Sequence, residues 1–261
     1  MTEHYLPLQK GVVYGPVRSR RLGNSLGINL SPGEIKMCSL NCSYCQYSWT
    51  GMLVRDARPF RHILPSPREV ASALRERIED SIRNELPIDH ITFSGNGEST
   101  LHPDFPEIAD LVLKIRDALV PGAKVACLSN STTLSKDEIF QAVLRMDEPI
   151  MKLDAGNVEI FKRLNRPAAE IDFGAVVSAL AGFKGRLTVQ SLFVQGAVDN
   201  TAGEAIRDYI EAIKKIRPKS VQIYSLDRLP ADKQLKTASK ETLEKIKIRI
   251  EAEANASAVV Y

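Results

Sequence analysis

Cysteines, aromatic residues and net charge are all scarce in this sequence, and each shortage excludes something. Four cysteines in 261 residues are too few to staple the chain as a disulfide framework. Three of the four are clustered, which points to metal ligation in a reducing cytoplasm. A balance of 35 basic against 32 acidic residues leaves +3, so no global field demands a nucleic-acid partner. No apolar run approaches membrane-spanning length, and the first residues hold no apolar signal core. A soluble, cytoplasmic, monomeric protein with no membrane partner is therefore expected. Repeats, low-complexity tracts and linker-like stretches are also missing, so residues 1–261 read as one domain: an arm at 1–24, a core at 25–225 and a C-terminal extension at 226–261.

What is present centres on Cys38, Cys42 and Cys45, spaced C-x3-C-x2-C with Tyr44 just before the last. Three thiolates on one short loop suit an iron–sulfur cluster or zinc, both of which favour soft ligands. A purely structural site fills four positions with protein ligands. The remaining cysteine, Cys127, lies far away on an expected core strand. Three ligands leave one iron of a cubane open, where a small molecule bearing an amine and a carboxylate can chelate.

Along the chain, helix and strand patterns alternate. Strands are expected at 25–30, 90–94, 124–129, 149–154, 187–195 and 221–225. Ser31-Pro32-Gly33 ends the first and starts the cysteine loop. A helix over 66–86 carries Ser66 as cap, Pro67 at its first position and Glu69 completing a capping box, with Val70, Leu74, Ile78 and Ile82 on one face. Further helices are expected at 105–118, through Ile139, Val143 and Met146, and at 156–164, 172–183, 201–216 and 240–253. A short apolar tail follows at 258–261. Such alternation dictates parallel strands wound right-handedly, with ligands at their C-terminal ends.

Candidate residues follow from that geometry. The glycine-rich turn Gly95-Asn96-Gly97-Glu98 lets backbone approach a ligand and offers a carboxylate to an ammonium group. Ser129, Asn130, Lys152, Asp154 and Gln190 occupy other strand ends. Lys152 and Asp154 share a face, being two residues apart, and can meet a carboxylate, ribose hydroxyls or substrate. Arg18, Arg20 and Arg21 form either a solvated arm or an anion grip. Tyr47 and Trp49 either shield the metal centre, stack on a ligand, or fill core. His102 reads as structural, and Arg163, Asn165 and Arg166 as a solvated helix end or a second anion grip.

On these residues the sequence resembles the radical S-adenosylmethionine (SAM) enzymes, which hold a 4Fe–4S cluster on a C-x3-C-x2-C loop with an aromatic residue before the third cysteine. The resemblance implies an α/β fold, a partial (β/α)6 TIM-like barrel of parallel strands with outer helices. It implies that Cys38, Cys42 and Cys45 bind the cluster and that SAM chelates its open iron. Reductive cleavage then yields a 5′-deoxyadenosyl radical that abstracts hydrogen from the substrate. A one-electron donor such as flavodoxin or ferredoxin is implied as partner. The 95–98 turn corresponds to the family's Gly-Gly-Glu motif, with Asn96 replacing its first glycine, and Glu98 is implied to hold the SAM amino group. Ser129 and Asn130 are implied to meet its ribose or carboxylate.

The stretch 15–23 is similar to the opening of the subgroup related to wyosine synthesis on tRNA, implying an RNA base or related metabolite as substrate. Members with that activity carry a second cluster on further cysteines near the N-terminus. None are available here, so one cluster is implied and a different reaction stays open. Two alternatives remain from other classes: an activating enzyme that plants a glycyl radical on a partner protein, and a non-catalytic metal-binding module. No residue is assigned to hydrogen abstraction itself.

Overall fold

The structure, a computed structural model, describes residues 5–31, 33–169 and 171–261. Pro32 and the first four residues of the expected arm lie outside the described residues. In chain order the first elements are β1 (Val13–Ser19), β2 (Gly23–Ile28), β3 (Met37–Cys38), β4 (Met52–Leu53), α1 (Pro67–Arg83), β5 (His90–Phe93), α2 (Phe105–Leu119), β6 (Lys124–Ser129) and α3 (Asp137–Leu144). They are followed by β7 (Glu148–Lys152), α4 (Val158–Asn165), α5 (Phe173–Ala181), β8 (Thr188–Leu192), β9 (Val194–Gly196), α6 (Gly203–Ile216), β10 (Ser220–Tyr224), β11 (Leu235–Thr237), α7 (Lys240–Ala254) and β12 (Ala258–Val260).

Local chemistry sets these boundaries. At α1 the Ser66 hydroxyl accepts from the Glu69 amide at 3.3 Å and the Glu69 carboxylate accepts from the Ser66 amide at 2.7 Å. Such a cap contributes about 1 kcal/mol. Val70, Leu74 and Ile78 are buried, but Ile82, expected on the same face, is 54% exposed. Ser81 takes the buried position in that last turn instead, its hydroxyl donating to the Arg77 carbonyl at 2.8 Å.

Eight strands form one sheet in the order β1-β2-β5-β6-β7-β8-β10-β12. The six from β2 to β10 pair in parallel, one helix or more crossing between successive strands. The edge strands β1 and β12 do not bond to each other, so the winding stops short of a closed barrel. This is the α/β partial barrel expected from the sequence.

Both edges correct the sequence reading. The stretch expected to be irregular contains β1, antiparallel to β2, with its register shifting between Tyr14 and Val17. Gly15 and Pro16 fall inside that shift and hide the strand's alternation; an edge strand tolerates proline because one row of its donors is unneeded. The apolar tail is β12, which extends β10 in parallel. The single strand expected over 187–195 divides in two, since β9 leaves the sheet to pair antiparallel with β11.

Alternation on β6 separates the two faces of the sheet. Val125 and Cys127 point into the main core beneath the helices, whereas Ala126 and Leu128 face inward, with Ile150 and Leu22 of the β1–β2 turn. Leu22 thereby packs on the inner face of the partial barrel. No helix of the described residues is long and apolar enough to cross a membrane.

Candidate active site

The cysteine loop leaves the C-terminal end of β2 and is anchored on two sides. On one, the Glu98 amide donates to the Met37 carbonyl at 3.0 Å. A side chain at Gly97 would collide with that same carbonyl, so only glycine permits this approach. On the other, the Asn41 amide reaches the Asn165 and Arg166 carbonyls, both at 3.0 Å, and Ser43 reaches Leu164 at 2.9 Å. These carbonyls end α4, where the helix itself supplies no donors. The loop therefore satisfies the helix terminus, and the helix terminus sets the loop.

Cys38, Cys42 and Cys45 open onto one cavity of about 460 Å³, within the range of small-molecule sites. Burial pushes the Cys38 thiol up to about 12, and the neighbouring Cys42 adds to the rise. Burial likewise pushes Cys42 up to about 11, helped by the neighbouring Cys45. Among the described residues no three His, Cys, Asp or Glu side chains converge on a point fit for one metal ion. A cubane differs, because each thiolate ligates its own iron. The donor set fits such a cluster with one iron left free of protein. Cys127 is fully buried on the far face of β6 and does not line the cavity.

Glu98 lines the same cavity and is almost fully buried. One carboxylate oxygen accepts from the Thr100 amide at 3.1 Å and hydroxyl at 2.6 Å; the other accepts from the Asn130 amide at 2.6 Å. No cation pairs with it among the described residues, and burial raises its pKa above the usual carboxylate value. An ammonium group entering the cavity would supply the missing charge. Gly95, at φ +132°, packs against the Asn29 side chain.

The other expected site residues divide. Ser129, Asn130, Lys152, Gln190 and Tyr44 line the cavity with Gly95 and Gly97. Asn130 donates to the Ser39 hydroxyl at 2.9 Å and toward the Cys38 sulfur at 3.4 Å. Asn96 does not line it: its side chain holds the Gln9 amide and carbonyl at 2.7 and 2.9 Å, fastening the N-terminal segment. Asp154 also differs from expectation, standing behind the wall with every acceptor used. It pairs with Lys152 at 2.9 Å, accepts from the Leu192 amide at 2.8 Å and Asn165 at 2.9 Å, and holds the Tyr44 hydroxyl. Lys152 also donates to the Tyr224 hydroxyl at 2.7 Å. The two residues on one face of the strand meet each other, leaving Asp154 to brace Tyr44.

Tyr47 lines the cavity, whereas Trp49 is partly exposed with the Arg166 guanidinium 4.6 Å from its ring. His102 is structural: it bonds the Pro65 carbonyl at 2.9 Å and accepts from the Asp104 amide at 3.0 Å, and burial lowers its pKa. Arg163 binds the Ala197 carbonyl and Arg166 pairs with Asp232. Sequence reasoning passed over Tyr14, Thr92 and Tyr224, all of which line the cavity. Tyr224, at the end of β10, obeyed the strand-end rule that selected Lys152. Tyr14 gave no such signal, because its strand was hidden.

Comparison with known proteins agrees with this geometry. The description of the Radical SAM superfamily matches residues 35–217, and the chain belongs to that superfamily. Its cofactors are accordingly a 4Fe–4S cluster and SAM, and its role is catalytic. Among individual proteins, it is 30% identical to a UPF0026 protein of Methanocaldococcus jannaschii over 90% of this chain and 70% of that one. It is also 34% identical over 92% of its length to a protein of Brachyspira hyodysenteriae named GTPase Obg, but spans only 33% of that relative. The phosphate-loop pattern G-x4-G-K-S/T does not occur in these 261 residues.

The fold is shared with solved structures at low identity. TYW1, of wyosine synthesis, in a structure with a lysine–pyruvate adduct bound, superposes with TM-score 0.62 at 15% identity, over 88% of this chain and 74% of its own. A radical SAM methyltransferase from Sphaerobacter thermophilus gives 0.65 at 13%, over 91% and 66%.

Proposed function

We propose that this chain abstracts hydrogen from a substrate related to an RNA base, in an oxidoreductase- or transferase-type reaction. The observation that carries the site assignment is the single cavity onto which Cys38, Cys42, Cys45 and Glu98 all open. When bound, the cluster and SAM supply one-electron reduction and a 5′-deoxyadenosyl radical. A one-electron donor such as a flavodoxin or ferredoxin completes the requirement.

The chain's own residues divide the remaining work. Three cysteine thiolates hold the cluster and leave one iron to SAM. The buried Glu98 carboxylate takes the SAM ammonium, its position set by Thr100 and Asn130. Ser129 and Asn130, on the next strand end, reach the ribose or carboxylate, and Lys152 and Gln190 face the remaining space. Asp154 fixes Tyr44 beside Cys45, so that the loop cannot swing away from the cavity. The same reading treats residues 1–261 as one radical SAM domain. The RNA assignment is supported by the shared fold with TYW1 and by the 15–23 stretch that resembles the wyosine-related subgroup.

The test is 5′-deoxyadenosine release by anaerobically reconstituted, reduced protein given SAM, with and without total cellular RNA. RNA-stimulated release, absent from a variant lacking all three loop cysteines, is the expected outcome. Release indifferent to RNA would remove the RNA assignment and keep the radical chemistry.

A further inference from the structure

The basic trio near the N-terminus serves different ends in the folded chain. Arg18 is exposed and does not line the cavity. Arg20 pairs with Asp227 at 3.0 Å, both side chains being 66% exposed. Arg21, like Arg20, lines the cavity that the cysteine loop opens onto. Its guanidinium carbon lies 4.6 Å from the centroid of the Tyr224 ring and 4.8 Å from that of Tyr261. Its Nε is buried and has no hydrogen-bond partner among the described residues, which also offer it no ion pair.

Aromatic faces stabilise a guanidinium and strip water from it, but they accept none of the in-plane N–H donors. Such a fork, held between two rings and without a paired carboxylate, is matched to an oxyanion held in its plane. The other cations at the cavity are partly spoken for. Lys152 is paired with Asp154, Lys36 donates to the Ser48 carbonyl at 2.8 Å and Arg20 has Asp227, which leaves Arg228 as a second cation at the lining beside Arg21. SAM itself brings an ammonium and a sulfonium, both repelled by Arg21. Its one carboxylate shares a carbon with the ammonium and so stays beside whatever holds that ammonium.

We propose that Arg21 anchors an oxyanion, carboxylate or phosphate, carried by the second substrate. The proposal rests on the reading that places SAM's ammonium on Glu98. Tyr224 connects the two regions: its ring faces Arg21 and its hydroxyl accepts from Lys152.

The test is calorimetric titration of the reconstituted full chain with inorganic phosphate and with acetate, at constant ionic strength, with and without saturating SAM. One of the two anions should bind the SAM-loaded protein. Arg21→Gln should weaken it about tenfold or more, the scale of a charge-assisted fork. Arg21→Lys, which keeps the charge and loses the fork, should fall between, and carries the comparison if the glutamine variant fails to fold. Arg18→Gln, exposed and outside the cavity lining, should bind within about twofold of the parent, as expected for a screened surface charge. Absence of binding to the parent, or equal affinity in the Arg21 variants, would overturn the proposal. So would displacement of the anion by SAM, which would give the site to SAM's own carboxylate. Failure of the parent to bind SAM at all would sink the function proposed above, while the SAM-free titration would still report on Arg21.

Discussion

The Asn165 side-chain amide lies 3.5 Å from the Cys42 sulfur and 2.9 Å from an Asp154 carboxylate oxygen. One residue at the end of α4 thus connects a loop thiol to the buried ion pair behind it. Hydrogen bonds to a ligating sulfur withdraw charge and favour the reduced cluster. Asn165→Leu should therefore lower the cluster midpoint potential by roughly 20–60 mV, one neutral hydrogen bond converted to a one-electron potential. Redox titration followed by electron paramagnetic resonance checks this at unchanged iron content. An unaltered potential would make the contact purely structural.

Cysteine roles separate by face. Alanine at Cys38, Cys42 or Cys45 should abolish cluster assembly, measured as iron and sulfide per chain after anaerobic reconstitution. Cys127→Ala should leave both unchanged, since Cys127 points into the helix-side core. Burial holds its thiol well above the ordinary cysteine value, so it should resist thiol reagents until the protein unfolds. A requirement for Cys127 in iron binding would refute the open-iron arrangement.

Glu98 gives a pH dependence with a definite sign. Burial raises its pKa, so it loses its charge on acidification earlier than an ordinary carboxylate does. An ammonium ligand prefers the ionised form. SAM affinity, measured by equilibrium binding to the reconstituted protein, should fall as the pH drops through that raised value. Glu98→Gln should bind SAM weakly at every pH, with iron content intact. A variant with the parent's affinity and pH profile would remove Glu98 from the SAM site.

Gly97 is a packing requirement at the point where the cavity lining meets the cysteine loop. A methyl group there meets the Met37 backbone, which cannot rotate aside as a side chain can. Gly97→Ala should lower stability by about 1–3 kcal/mol, the usual cost of overpacking. It should also loosen the cysteine loop, seen as faster cluster loss to a chelator. Denaturant melts that coincide with the parent's would show that the contact yields.

How much was legible in advance depended on the range of the interaction. The capping box at Ser66 and Glu69 is written within four residues and was readable. Ile82 was misplaced because helical spacing gives a face but not where the sheet beneath it stops. Strand β1 was hidden by Gly15 and Pro16, whose register shift destroys the alternation that marks a strand. Asn96 and Asp154 stood at the right strand ends but were turned away by partners on Gln9 and Tyr44, neither predictable from spacing.

The sequence by itself determined the three soft ligands on one loop, the parallel winding and the carboxylate at Glu98. Those rest on short-range facts: three thiolates in eight residues, periodicity, and a glycine turn after a strand. Only the tertiary structure decided which polar groups face the cavity. It buried Asp154 among four donors, tied Asn96 to Gln9, and brought Arg21 to Tyr224 from the other end of the chain. Each outcome follows from burial. Once water is removed, a polar group must find a partner wherever the fold supplies one, and that partner can be hundreds of residues away.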